Sequence, residues 1–437
     1  MSKKIEGFSK LSKAEKINWI TQMHFEDGTK AKEIVTSYNH ANDKIQKSHD
    51  EFIENAIANY YLPLGVAPNF VINGEEFTLP MAIEESSVVA AASKAAKFWA
   101  LRGGFKSQVL DTQKIGQIHF LFDGTTEQID TFFKETKQTL IDSTASLTVN
   151  MRKRNGGIIG IELRDKSDLI DNYYQLHLSF ETADSMGANF INSCLEQIAS
   201  TLQSLAKDHE AFKIQQLSIE IVMSILSNFV PQCLVKAEVR CPIDRLAIEE
   251  GMTGMEFASK FIRAVEIASK EPYRAVTHNK GIMNGIDALI IATGNDFRAV
   301  EAGVHAYASK DGSYSSLSKA FFEGNDFVFQ LIVPLSLGTV GGLTQLHPLA
   351  KWSMELLGHP NAKKLMQIVA VAGLAQNFAA ISSLITSGIQ KGHMKMHLLN
   401  ILNQHGATPI QKEKAMNFFK THNVSYSAVT DFLKSNP

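Results

Sequence analysis

The sequence predicts an α+β protein: a large helix-rich body, a small ferredoxin-like unit inserted into it, and a helical flap at the C-terminus. Three observations predict this. First, IGQIHFLF (115–122), IIGIEL (158–163) and YYQLHLSF (173–180) have the aromatic and β-branched composition of strands. With helical stretches at 130–147 and 189–206 they give the order strand–helix–strand–strand–helix, a ferredoxin-like signature. Second, the chain is helix-rich on both sides of this unit, and words of unusual composition fall on both sides. That favours an insertion over two beads on a string. Third, the tail after His393 is polar and amphipathic. The expected boundaries are 1–110 plus 221–390 for the large part, 111–220 for the small one and 391–437 for the flap.

The elements follow in order. Residues 9–60 read as helical, and Ser12 with Glu15 three positions on is a capping box ahead of AEKINWITQM. FVINGEEFTLPMA (70–82) alternates around Asn73-Gly74, a hairpin signal. SSVVAAASKAAKFWALR (86–102) is an alanine-rich helix stopped by Gly103-Gly104. CLVKAEVRCP (233–242) is a strand that returns to the larger body. Helices fill 253–310, residues 318–334 read as strand, and 345–390 as long packed helices.

Composition narrows the function classes. The 437 residues are 44% hydrophobic and 20% charged, an ordinary globular balance with ample core. A net charge of −2 argues against nucleic-acid binding, which usually shows a basic surplus. Cys194, Cys233 and Cys241 lack metal-type spacing and read as free buried thiols in a reducing compartment. The N-terminus MSKKIEGFSKLSKAEKINW is charged, without a signal core. No run reaches the ~20 consecutive apolar residues of a membrane span. The expectation is a cytoplasmic protein with no membrane segment and no metal.

Four words carry candidate chemistry. They are PMAIEESSVVAAA (80–92), HNKGIMNG (278–285), ATGNDFRA (292–299) and KGHMKMH (391–397). They supply a carboxyl, a lysine, an aspartate and a histidine, the parts needed to reduce a thioester. A lysine stabilises negative charge building on a carbonyl oxygen. A carboxylic acid of raised pKa donates protons at neutral pH, and a histidine protonates a thiolate. Alone, each is weak: an acidic pair often starts a helix, and an Asp after Gly-Asn is commonly turn chemistry. Their joint occurrence, each inside its own extended word, carries the weight.

In these words and this order the chain resembles 3-hydroxy-3-methylglutaryl-CoA reductase of the soluble bacterial class, from about Phe8 to His397. The resemblance implies reduction of the HMG-CoA thioester to mevalonate and CoA with two NAD(P)H. It makes Glu85 the catalytic acid, Lys280 the lysine that polarises the carbonyl, Asp296 an aspartate bonded to both, and His393 the proton donor to CoA thiolate. Ser87, Arg274 and Asn284, with Asn228 a weaker candidate, would hold the hydroxymethylglutaryl end. DSMGAN (184–189) matches the family's cofactor word, so Asp184, Met186, Gly187 and Asn189 would bind the dinucleotide. GTVGGLT (338–344) adds Gly341 and Gly342. The large part then becomes the substrate- and CoA-binding domain and the small one the NAD(P)-binding domain. A homodimer with its active site at the subunit interface, or a larger assembly, is also implied.

Cofactor choice follows from charge. NAD selection usually needs a carboxylate on the adenosine ribose, NADP a cation for the 2′-phosphate. SLTVNMRKRNGG (146–157) has no acid but holds Arg152, Lys153 and Arg154, favouring NADPH with NADH possible. The same trio also reads as a solvated turn. Ser185, Leu343 and Ser86 depart from the family's alanine, glycine and proline. ENAIAN (54–59) loses the glycine of the word tied to subunit contact, and FSKLS (8–12) lacks its CoA-binding arginine. Two further readings remain: NAD-dependent oxidation of mevalonate on the same fold, and a non-catalytic CoA-ester binding protein.

Overall fold

A computed structural model describes residues 3–247, 251–386 and 398–436. The Ser12–Glu15 capping box forms as expected and starts α1 (Lys13–His24). Asp27 and Asn42 cap α2 (Gly28–Ser37) and α3 (Asp43–Asp50). The hairpin β1 (Leu64–Ile72) and β2 (Glu75–Ala82) turns at Asn73 and Gly74. Their φ values of 52° and 89° are those a two-residue hairpin turn of type I′ requires. After β2 the chain passes Glu85 into α4 (Val88–Ala100), whose Ala92, Ala96 and Trp99 are fully buried.

The small sheet follows. Its elements are β4 (Lys114–Phe122), α5 (Thr126–Asp142), α6 (Ala145–Arg152), β5 (Gly157–Asp165), β6 (Tyr173–Glu181), α7 (Ala188–Asp208), α8 (Glu210–Gln215) and β7 (Ile219–Ser227), after the short strand β3 (Lys106–Val109). The strand order β5-β6-β4-β7, antiparallel throughout, is the ferredoxin-like arrangement. Phe120, Phe180, Leu195 and Ile198 centre a hydrophobic core separate from that of the larger body. The expected helix at 130–147 is two helices, and the sheet runs to Ser227, beyond the expected boundary at 220. β7 lacked a clean alternation because Val222, Met223 and Ile225 are all exposed apolar residues.

β8 (Leu234–Pro242) returns to the larger body as expected. It lies in a second antiparallel sheet, β3-β8-β10-β9. The predicted strand at 318–334 is a hairpin, β9 (Ser318–Glu323) and β10 (Asp326–Pro334). Against this sheet pack α9 (Gly254–Lys270), α11 (Phe297–Ala308) and α14 (Ala362–Ile385); α10 (Pro272–Ala292) packs on α14 and β2, and α12 (Leu343–Leu346) on α13 (Pro348–Leu356). By length and composition α14 could cross a membrane, yet 67% of its apolar stretch is buried in the protein. Its apolarity is that of a core helix, buried without a break from Ile368 to Phe378. Residues 398–404 (α15), α16 (Pro409–Phe418) and α17 (Tyr426–Ser435) enclose a third small core at Leu402, Ala415 and Val429.

The crossing of α10 and α14 fixes the helix that carries Lys280. A Cβ on Gly285 would lie 2.4 Å from the carbonyl oxygen of Ala372, and one on Gly373 2.8 Å from Ile286 Cγ1. Backbone cannot yield as a side chain can. Gly285→Ala is therefore expected to lose about 2–3 kcal/mol, read as a lower urea midpoint at unchanged slope. An unchanged midpoint would refute this close approach.

Candidate active site

Glu85 lies between β2 and α4, and Lys280 on α10, 195 positions apart in sequence. The fold joins them: the Lys280 ammonium donates to Glu85 Oε2. Asn284, one helical turn beyond Lys280, donates through Nδ2 to the same oxygen at 3.4 Å. The pair is accessible, with side chains 56% and 37% exposed. An incoming carbonyl can therefore meet a cation, a carboxyl and an amide together. Ser87 stands two residues on with φ 75°, a left-handed conformation uncommon for serine. Its hydroxyl does not cap α4, which leaves it for other partners. Such strain is characteristic of functional turns.

Arg274 is half-buried near the start of α10, and among the described residues it forms no ion pair. Burial pulls its pKa down, yet a guanidinium keeps its proton. A half-buried, unpaired guanidinium suits an incoming carboxylate.

A second feature is an open cleft of about 400 Å³. The DSMGAN loop, Gly294–Asp296 and Gly341–Thr344 line it, so three sequence words meet there. Gly187 caps α7 with φ 88° and no side chain, leaving the first N–H groups of that helix without a side-chain acceptor. A helix N-terminus of this kind attracts phosphate. Thr339 N–H donates to the Asp184 carbonyl at 2.8 Å, and Asn295 Oδ1 accepts from Gly338 N–H at 2.8 Å. The first bond holds the Gly-rich word against the DSMGAN loop and the second against the ATGNDFRA turn. The cleft's free helix start and glycine-lined walls fit a dinucleotide's phosphates.

Asp296 lines this cleft, but its described partners differ from those expected. Oδ1 caps α11, accepting from the N–H groups of Arg298 and Ala299 at 3.1 Å each, and it pairs with the Arg298 guanidinium. No bond joins it to Lys280 or Glu85 among the described residues. The helix start claims the carboxylate because two N–H donors converge on it.

Behind the site, Asp287 (α10) and Glu301 (α11) form a carboxyl pair. Burial, then the neighbouring Glu301, pushes Asp287 well above the usual carboxylate range. The His305 bond, Nε2 to Oε2 at 2.7 Å, holds Glu301 low. Two carboxylates cannot bond without a proton between them, so Asp287 carries it. His305 Nδ1 lies 2.8 Å from the Tyr314 hydroxyl. The chain of contacts ties α10 to α11.

A model of the hydroxymethylglutaryl-coenzyme A reductase family matches residues 12–398. The chain belongs to this family. It is 35% identical over 410 residues to 3-hydroxy-3-methylglutaryl-coenzyme A reductase of Archaeoglobus fulgidus, covering 93% of this chain and 88% of that one. It is 32% identical over 428 residues to a probable reductase of Borreliella burgdorferi, covering 95% and 91%. Among solved structures, the class II reductase from Streptococcus pneumoniae bound to NADPH in open conformations matches with TM-score 0.72 and 34% identity. That match covers 89% of this chain and 92% of that one. A second structure of the Streptococcus pneumoniae reductase matches with TM-score 0.73 and 32% identity over 99% of both chains.

Within this reductase fold the structure brings together Glu85, Lys280 and Asn284 in one group. Asp184, Met186, Gly187, Asn189, Gly341 and Gly342 gather around the cleft, five of them in its lining; Asp184 sits behind it, its Oδ1 accepting from Ala362 N–H at 2.9 Å. Asn228 stands elsewhere, in a small cavity with Lys114, Met186 and Gly303. Arg152, the last residue of α6, and Lys153 and Arg154 on the turn before β5 are exposed and do not line the cleft. That turn nevertheless leads into Gly157, which pairs with Glu181 at the head of the DSMGAN loop. His393 lies outside the described residues. Sequence reasoning missed Asn295, although its position between Gly294 and Asp296 inside ATGNDFRA was a signal. The three thiols are buried as expected, and burial pushes each up to about 11.

Proposed function

We propose that this reductase converts 3-hydroxy-3-methylglutaryl-CoA to mevalonate and CoA with two NADPH, a step of the mevalonate route to isoprenoids. The observation that carries the reading is the Lys280–Glu85 pair with Asn284 beside it. In this reading Lys280 donates to the thioester carbonyl oxygen and stabilises the charge that builds there. Glu85 is the proton donor to the product oxygen during turnover, and Asn284 orients its carboxyl. Arg274 and Ser87 hold the hydroxymethylglutaryl end. His393 protonates the departing thiolate. When bound, the reduced nicotinamide supplies the hydride equivalents. Asp184, Met186, Gly187, Asn189, Gly341 and Gly342 shape its cleft, with the free N-terminus of α7 facing the phosphates.

NADPH is the preferred donor. The exposed Arg152–Arg154 cluster, without an acid near it in sequence, supports this, as does the NADPH bound by the Streptococcus pneumoniae relative. We assign the larger part, expected at 1–110 with 221–390, to substrate and CoA, the small part, which runs on from 111–220 to Ser227, to the dinucleotide, and 391–437 to a flap that closes for chemistry. The assembly is a homodimer with Glu54 and Asn55 near the shared site. Exposed Ile53, Tyr60 and Tyr61 beside that word support a buried contact there. The reduced, buried cysteines support a cytoplasmic setting.

The test is loss of NADPH or NADH absorbance by the purified protein with and without HMG-CoA. The expected result is substrate-dependent oxidation with a higher kcat/KM for NADPH. A preference for NADH would remove the basic cluster's role while keeping the reaction. No oxidation of either, with the ester still bound, would replace the enzyme by a CoA-ester binding protein.

A further inference from the structure

We propose that Lys114, the first residue of β4, is a positioning residue for the cofactor loop, holding the 182–185 turn so that the start of α7 faces the cleft. The inference rests on the cofactor reading above. Lys114 is 5% exposed. Its ammonium donates to Thr182 Oγ1 and, at 2.8 Å, to the carbonyl oxygen of Ser185. The Thr182 hydroxyl donates to that same carbonyl at 2.6 Å, closing a triangle under the loop.

Both partners are neutral. Among the described residues Lys114 forms no salt bridge. The nearby Glu181 carboxylate is taken by the Thr112 hydroxyl and, at 2.8 Å, by Ala183 N–H. Burying an ammonium with no directly bonded counter-charge is expensive, and an apolar side chain would fill a strand position more favourably. Burial accordingly pulls the lysine's pKa down. A residue this unfavourable for the strand needs a purpose outside it.

The loop supplies one. Ala183 has φ 48°, and a Cβ on Gly187 would lie 2.4 Å from Thr182 Cγ2. This tight, left-handed path needs external support. Thr339 and Ala362 grip the outer side through Asp184. Lys114 grips the inner side, from the small sheet itself. The loop is thus held between the two parts of the protein, with α7's free N–H groups at its end. Loss of the lysine releases the inner side alone.

Lys114→Met keeps the volume and removes the donors. The probe is NADPH, titrated by its fluorescence in the absence of HMG-CoA, with steady-state KM values measured beside it. Expected are a Kd and KM for NADPH raised about tenfold, the strength of a buried charged hydrogen bond, and a KM for HMG-CoA within twofold of wild type. Thr182→Val removes two sides of the triangle, leaves the Lys114–Ser185 bond, and is expected to raise the NADPH Kd about threefold. It keeps the test valid if Lys114→Met does not fold. An unchanged NADPH Kd in a folded variant overturns the proposal, and so does an equal rise in both KM values, which marks general damage. A wild-type protein that binds neither NADPH nor NADH would overturn the cofactor reading itself, and this inference with it.

Discussion

Lys280→Met is expected to lower kcat for HMG-CoA reduction at least ~10³-fold while leaving the fold intact. Removing one donor from an oxyanion-stabilising site typically loses ~10²–10³ in rate. Here the donor is a full cation, so the loss falls at or above the upper end. Stability should barely change. The Lys280 side chain is 56% exposed, and an ion pair so exposed contributes only about 0–1 kcal/mol. Methionine has similar length and good helix propensity for α10. Binding of HMG-CoA should weaken only a few-fold, because Arg274 and Ser87 are untouched. The measurement is kcat and KM with a thermal melt on the same preparation. A folded variant with kcat within tenfold of wild type would remove Lys280 from the chemistry.

Much of this site was legible because each part sits in its own local word. HNKGIMNG places Lys280 and Asn284 one turn apart on a helix, and that spacing alone puts them on one face. The contact with Glu85, by contrast, spans 195 positions and has no local signature. Only resemblance to a family could join those words. The same division holds for the fold. Asn73-Gly74 and the Ser12–Glu15 box are short-range devices and appeared where expected. β3 was missed because KSQV is four residues long, with one buried side chain and no apolar pattern. Lys114 was missed for a related reason. A lysine opening an apolar strand reads as a solvated end, and only the fold of 182–185 over it shows that it is buried.

Asp296 separates two roles that sequence and structure assign to one carboxylate. The family resemblance gives it a part in chemistry, whereas the structure gives it the N-cap of α11. All its described bonds fall on Oδ1, so Oδ2 remains for the site. Asparagine caps a helix about as well as aspartate, through the same oxygen. Asp296→Asn should therefore keep the melting temperature within about 2 °C, since the cap survives. If the aspartate has the part in chemistry that the family resemblance implies, turnover should still fall ~10²-fold, because its negative charge is gone. Asp296→Ala removes both functions. It should lose about 1 kcal/mol of stability along with the activity. Comparing the two variants by melting temperature and kcat isolates the charge from the cap. If Asp296→Asn retains near-normal kcat while Asp296→Ala loses stability, the aspartate is a helix cap at the wall of the cleft. Lys280 and Glu85 would then act without it.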